Sequence, residues 1–227
     1  STTDQSTIGS NWAAGDIMYE DTNNDKQIND GARTITDHGD LKVIGNSTPR
    51  FLWGIDLNAS WKGFDIRAFF QGVMKRDAWL GGSWGSLEYY FGATNSGEWW
   101  ATGITAVKDY YRDANTWSVA NGYQKANQDA FLPRATFSNK NERCQTRYLM
   151  NAAYMRLKNF QAGYTIPRNI TTKWGISNMR VFVSIENLFT ITKMPKQFDP
   201  EMIGTDSRHS NGYPLSKTFS FGINVTF

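Results

Sequence analysis

Cysteine is almost missing from this chain of 227 residues: Cys144 stands alone, so no internal disulfide can staple the fold. Histidine is nearly as scarce, and His38 and His209 lack the spacing of zinc ligands. No run approaches the ~18 consecutive apolar residues of a membrane helix, which excludes helical membrane proteins but not barrels, whose alternating strands escape hydropathy windows. Neither sign of charge dominates. The 24 basic and 21 acidic residues are mixed along the chain, leaving a net +3 and no basic patch for nucleic acid. Residues 1–20 carry no signal-peptide pattern, and a mature exported protein would have lost one. There is no His-Glu-x-x-His, no phosphate loop and no pairing of two carboxylates of the glycosidase kind, so the chain reads as a non-enzyme. Proline occurs only 6 times; aromatics, by contrast, make up 15% of the chain, with 9 Trp, 10 Tyr and 14 Phe beside 20 Gly. That mix suits strands joined by polar loops.

The last eleven residues, Lys217 to Phe227, show the strand pattern best. From Phe219 onward the odd positions Phe219, Phe221, Ile223, Val225 and Phe227 are large and apolar, and the even ones are small or polar. Side chains alternate across a strand, so one face is apolar and the other wet. A soluble sandwich and a membrane barrel can both use such a strand. Four more segments share it. Residues 50–61 set Phe51, Trp53, Ile55, Leu57, Ala59 and Trp61 against Gly54, Asp56, Asn58 and Ser60. Residues 64–73 set Phe64, Ile66, Ala68 and Phe70 against Asp65, Arg67, Phe69 and Gln71, and Lys62-Gly63 between the two is a tight hairpin turn. Residues 179–189 alternate Met179, Val181, Val183, Ile185 and Phe189 against Arg180, Ser184 and Glu186. Residues 152–165 end with Phe160, Ala162 and Tyr164 against Asn159, Gln161 and Gly163, but Arg156 and Lys158 fall on the apolar side. Either a bulge shifts the register near Lys158 or that half rises above a membrane.

The connections are sorted by length. The turn at 62–63 is very short and the connection at 166–178 moderate, whereas 74–151 and 190–215 are long. Outer-membrane barrels alternate short periplasmic turns with long outside loops, and a sandwich has no reason to do so. The expected architecture is therefore all-β, the antiparallel strands of a large transmembrane β-barrel with long extracellular loops. Five strands cannot close a barrel that needs an even count, and an open edge in lipid leaves backbone groups unpaired. Either a further strand lies within 74–151 or the chain is one end of a larger barrel, and the second is the expectation.

At this point the residues resemble a known group. Gly15-Asp16-Ile17, Asp21 through Asp30, Val43 through Phe51, Lys62-Gly63-Phe64-Asp65 and Phe69-Phe70-Gln71-Gly72 come first in order. Tyr154 through Phe160, Gly163 through Pro167, Glu186 through Thr190 and Gly212 through Leu215 follow. Together they resemble the C-terminal part of the SusC/RagA group of TonB-linked outer-membrane transporters. The resemblance implies that residues 1–227 are the C-terminal portion of a barrel of about 22 strands, with the plug and the TonB-binding segment N-terminal to this chain. It implies energised import of oligosaccharides, or alternatively oligopeptides, under a SusD-type surface lipoprotein, and location in the outer membrane. A soluble all-β sugar-binding module and a passive porin are the competing readings.

Two constellations are candidates for binding. Asp21, Asn23 and Asp25 place oxygens at positions 1, 3 and 5 of a calcium loop, Gln27 follows, Asn29 fits position 9, and Asp30 is a substitute for the missing terminal acid. The loop departs from the EF-hand pattern at Lys26, where a turn glycine belongs. A solvated Asx-rich turn is the other reading. The long segment 74–151 is rich in aromatics, and Trp84, Tyr89, Trp99, Trp100 and Trp117 are candidates to touch cargo or the lipoprotein lid. Packing of the loops, or a membrane-interface girdle, would use such residues equally well.

Overall fold

The computed structural model describes residues 3–79, 105–136, 138–196, 198–203 and 214–227. Five long strands dominate: β1 (Arg50–Trp61), β2 (Phe64–Lys75), β5 (Tyr154–Thr165), β6 (Asn178–Glu186) and β8 (Thr218–Thr226). Short strands β3 (Asp77–Ala78), β4 (Met150–Asn151) and β7 (Thr190–Thr192) accompany them. The long strands form one antiparallel sheet in the order β1-β2-β5-β6-β8, with β7 pairing β5 and β3 pairing β4 apart from it. The chain divides into two compact units, of which residues 46–78, 150–205 and 212–227 make the sheet unit.

Each hairpin follows from local chemistry. Trp61 pairs directly with Phe64 across Lys62-Gly63, and both turn residues have positive φ, 46° and 89°. A two-residue turn of that hand matches the twist of the flanking strands, and glycine accepts it without strain. The register then locks every apolar position onto the same face. Row by row, Leu57, Ala68, Phe160, Ile185 and Phe219 lie side by side across the sheet. The next rows are Ala59, Ile66, Ala162, Val183 and Phe221, then Trp61, Phe64, Tyr164, Val181 and Ile223. Slipping any strand by one residue would carry its whole apolar set to the wet side.

The parity break near Lys158 is a bulge. Phe69 pairs with Asn159 and Phe70 with Leu157, so Lys158 is the extra residue. The bulge puts Leu157 and Met155 on the apolar face, opposite Phe70 and Gly72, and Arg156 on the polar face opposite Gln71. It avoids placing a guanidinium among hydrocarbon. The expected strand 179–189 is corrected at its end. β6 stops at Glu186, and Asn187 takes φ 51°. The chain steps over β5 through bonds from Asn187 N to Lys158 O and from Leu157 N to Phe189 O, then resumes as β7. The irregularity in β6–β7 sits beside the bulge in β5, so the two strands keep their bonds by distorting together.

The apolar face is uncovered. Phe221 is 85% exposed, Ile223 61% and Phe219 60%. Phe64, Leu57, Ile55 and Ile66 are exposed as well. The buried apolar residues of this unit, among them Val73, Tyr154, Met194 and Ile203, sit elsewhere, at the sheet end remote from the Lys62-Gly63 turn. A continuous apolar face across five strands is far larger than water tolerates, and lipid is the medium that suits it. None of the described helices is long and apolar enough to cross a membrane, so crossing would fall to strands.

Candidate functional site

The sheet's other face is polar, and the arginines along it are matched by carboxylates. Arg67 on β2 donates to Asp56 on β1, with Nη2–Oδ2 at 2.6 Å. Arg180 on β6 reaches across β5 to Asp65 on β2, donates to Gln161 Oε1 at 3.2 Å, and lies 4.9 Å from the centre of the Phe182 ring. Gly163 occupies β5 beneath that guanidinium, because a Cβ there would run into it. With Phe69 and Phe182 on the same face, the wall offers hydrogen bonds and aromatic rings with little net charge.

At the end remote from the turn, two arginines hold the segment after β7. Arg156 is 3% exposed and donates to Asp199 and Glu201, each at 2.6 Å, and to Thr190 Oγ1 at 2.7 Å. Lys158, the bulge residue, donates to Glu201 at 2.8 Å. Arg76 donates to the carbonyls of Ser47, Pro200 and Ile203. Burial works to raise the pKa of Asp199, but Arg156 and the N–H groups of Glu201 and Leu215 outweigh it and hold the carboxyl below its ordinary value.

Residues 1–45 and 79–149 belong to the second unit, which is described by itself. Its centre is Asp16, whose side chain is 3% exposed. Asp16 accepts from Arg134, Lys140 and Asn141, each at 2.9 Å. The Lys140 ammonium is buried, donates also to the carbonyls of Ser10 and Asn11, and lies 4.6 Å from the centre of the Trp12 ring. Tyr19 Oη donates to Lys140 O at 2.7 Å. Burial works to raise Asp16, and the bonds from Arg134, Asn141, Lys140 and Ala13 N–H overcome it, so its pKa is lowered. A carboxyl depressed in the folded state stabilises fully above its ordinary pKa of 3.8, and the contribution is lost as pH falls through the lower folded value. Hydrogen-exchange protection at residues 12–17 and 138–143, relative to the intrinsic rate at each pH, should therefore hold steady down to about pH 4 and fall below it. Asp16→Asn should show fast exchange already at neutral pH.

The Asp21–Asp25 segment forms a tight oxygen-rich turn. Asp21 accepts from Asn24 N at 2.6 Å and Lys26 N at 2.8 Å, Asn23 Oδ1 accepts from Asp25 N at 3.0 Å, and Asp25 accepts from Gln27 N at 2.8 Å. Lys26 takes φ 67°, the left-handed conformation that glycine supplies in an EF-hand. Asn29 donates from Nδ2 to Asp25 at 3.3 Å. Asp30 is engaged by Arg33 and Arg143 instead. Among the described residues no three His, Cys, Asp or Glu side chains group as metal ligands.

Of the candidate cargo or lid aromatics, Trp84, Tyr89, Trp99 and Trp100 lie outside the described residues. Trp117 is described, 70% exposed, and stacks on Tyr123 with ring centres 5.4 Å apart. The Asp16 node and the Arg156 clamp are the features that sequence reading missed, although Gly15-Asp16-Ile17 and the Arg156 parity break pointed at both places.

A sheet with a lipid-type face, a neutralised polar wall and folded segments between its strands is the wall of a transmembrane β-barrel. Comparison with known proteins defines it further. No family model matches the chain. "TonB-dependent receptor P3" of Formosa agariphila is 31% identical over 201 residues, 83% of this chain and 17% of that protein. "TonB-dependent receptor P26" of the same organism is 26% identical over 94% of this chain and 20% of its own length. Among solved structures, the RagAB peptide importer in its open-open state matches 82% of this chain and 18% of its own at 26% identity and TM-score 0.60. The structure of the RagAB peptide transporter matches at 25% identity and TM-score 0.57. The chain belongs to the TonB-dependent receptors and spans no more than a fifth of the length of these relatives. The string Gly81-Gly82-Ser83-Trp84-Gly85 has the spacing of a hydrolase nucleophile elbow, but it lies outside the described residues, and the relatives are receptors and importers.

Proposed function

We propose that residues 1–227 are the C-terminal portion of the barrel of an outer-membrane importer. The receptor takes up oligosaccharides, draws its energy from TonB through a segment beyond this chain, and closes under a SusD-type lipoprotein. The observation that supports this most is the uncovered apolar ladder across β1, β2, β5, β6 and β8. In this reading the remainder of the barrel pairs with the free edges of β1 and β8, the Lys62-Gly63 turn faces the periplasm, and residues 15–48 and 74–151 face outward. The charge-cancelled polar wall and the exposed Trp117–Tyr123 stack suit a neutral, hydroxyl-rich cargo, since a pyranose face stacks on an aromatic ring. Oligopeptide import is the second reading, favoured by the likeness to a peptide importer. Uptake of labelled oligosaccharides and oligopeptides by cells carrying the full-length receptor, with and without TonB, separates these. Uptake of peptides alone moves the cargo to the second reading. Sugar uptake that persists without TonB sinks active import in favour of a porin.

Calcium at the Asp21 turn belongs to the same proposal. Asp21, Asn23, Asp25, the Gln27 peptide and Asn29 would supply hard oxygen ligands, and Asp30 would join by giving up an arginine. Calcium should raise the melting temperature of the full-length receptor, and Asp21→Asn with Asp25→Asn should abolish the increment. An equal increment in the variant excludes this turn.

A further inference from the structure

The end of the sheet that carries the Lys62-Gly63 turn has cations, aromatics and a groove, and the nearest acid, Asp65, is held by Arg180. Lys62, Gly63, Thr165, Pro167, Arg168 and Asn178 line an open groove of about 510 Å³ between the hairpin turn and the connection that follows β5. Segments 61–64 and 165–178 contain Lys62, Arg168 and Lys173 and not one Asp or Glu. Among the described residues none of the three cations forms an ion pair. This is unlike the polar wall, where Arg67 and Arg180 are matched by carboxylates. The Lys62 ammonium lies instead over an aromatic ring, 4.8 Å from the centre of Trp61.

The groove opens where the apolar face ends. Trp61, Phe64 and Tyr164 stand in the row next to the turn, with the Phe64 and Tyr164 rings 4.5 Å apart. Trp61 is 69% exposed and Trp174, in the neighbouring connection, 61%. Large aromatic rings at the edge of an apolar band mark the headgroup level of a bilayer. Unpaired cations at that level attract anionic headgroups.

We infer that this groove binds the phosphate headgroup of an anionic glycerophospholipid, with Lys62 and Arg168 as its cations. The acyl chains lie along the apolar face of β1, β2 and β5. The inference rests on that face lying in lipid, and it can fail separately from it.

Native mass spectrometry of the detergent-solubilised full-length receptor tests the site. Phosphatidylglycerol and phosphatidylcholine of identical acyl chains are the probes. Each interfacial cation is worth roughly a factor of five in affinity, so Lys62→Gln with Arg168→Gln should weaken the tightest phosphatidylglycerol adduct about 30-fold. Lys62→Arg with Arg168→Lys should retain it. Arg50→Gln with Lys75→Gln removes the same charge at the other end of β1 and β2 and should leave the adduct unchanged. Excess inorganic phosphate should not displace it, because the chains contribute to holding the lipid. Equal affinity for the two lipids, equal loss in both glutamine pairs, or displacement by phosphate overturns the proposal. A receptor that keeps its heat-modifiable barrel yet shows no headgroup preference refutes the lipid site alone and leaves the membrane barrel standing.

Discussion

Arginine at Val183 should strip most of the assembled barrel from the membrane, and arginine at Ile223, which shares its row with Trp61, Phe64 and Tyr164, should cost less. Val183 stands in the middle of β6, between Ala162 on β5 and Phe221 on β8, and Ile223 pairs with Val181 one row nearer the turn. Both point to the uncovered apolar face. A guanidinium on the lipid side of a barrel near the midplane costs roughly 2–4 kcal/mol. The control is Ser184→Arg, one residue along β6, where the neighbours are Gln161 and Ser220 on the polar face. The measurement is the amount of heat-modifiable full-length receptor in the membrane. Val183→Arg should reduce it severely and Ser184→Arg mildly. Equal losses from the two would mean that the sheet has no lipid side.

The second large effect is expected at Arg156. Its guanidinium is buried and spans three acceptors, Asp199, Glu201 and Thr190. In Arg156→Met, Glu201 keeps Lys158, but Asp199, with its side chain 6% exposed, keeps only N–H donors. An uncompensated buried charge of this kind costs about 3–5 kcal/mol. Residues 198–203 should detach, with a large gain in hydrogen exchange there and little change in β6 or β8. Removing the orphaned charge as well, in Arg156→Met with Asp199→Leu, should recover much of the loss, since an apolar pair has no desolvation debt. If Arg156→Met exchanges like the parent at 198–203, Arg156 does not hold this segment.

The two effects come from different levels of organisation, and so does their legibility. Val183 and Ile223 could be assigned to the apolar face from the sequence because strand sidedness has a period of two and needs no partner. The Lys62-Gly63 hairpin was legible for the same reason: a two-residue turn fixes the register of its own strands. From those local rules came the five strands, their faces and the membrane-barrel architecture.

Other features depended on residues that meet only after folding. The sequence left open whether Arg156 and Lys158 signalled a bulge or an exit from the membrane; pairing with β2 decided for the bulge, because only that register returns Arg156 to the polar face. The end of β6 at Glu186 was hidden in an apolar alternation that ran on to Phe189, and the bulge in its neighbour β5 decided it. Asp16 meets Arg134 and Asn141 across 118 and 125 residues, and Arg156 meets Asp199 across 43. No local period links such partners. A polar side chain advertises in sequence that it needs a counter-charge, but which one it finds is settled by the chain closure that brings distant segments together, and that belongs to the tertiary structure alone.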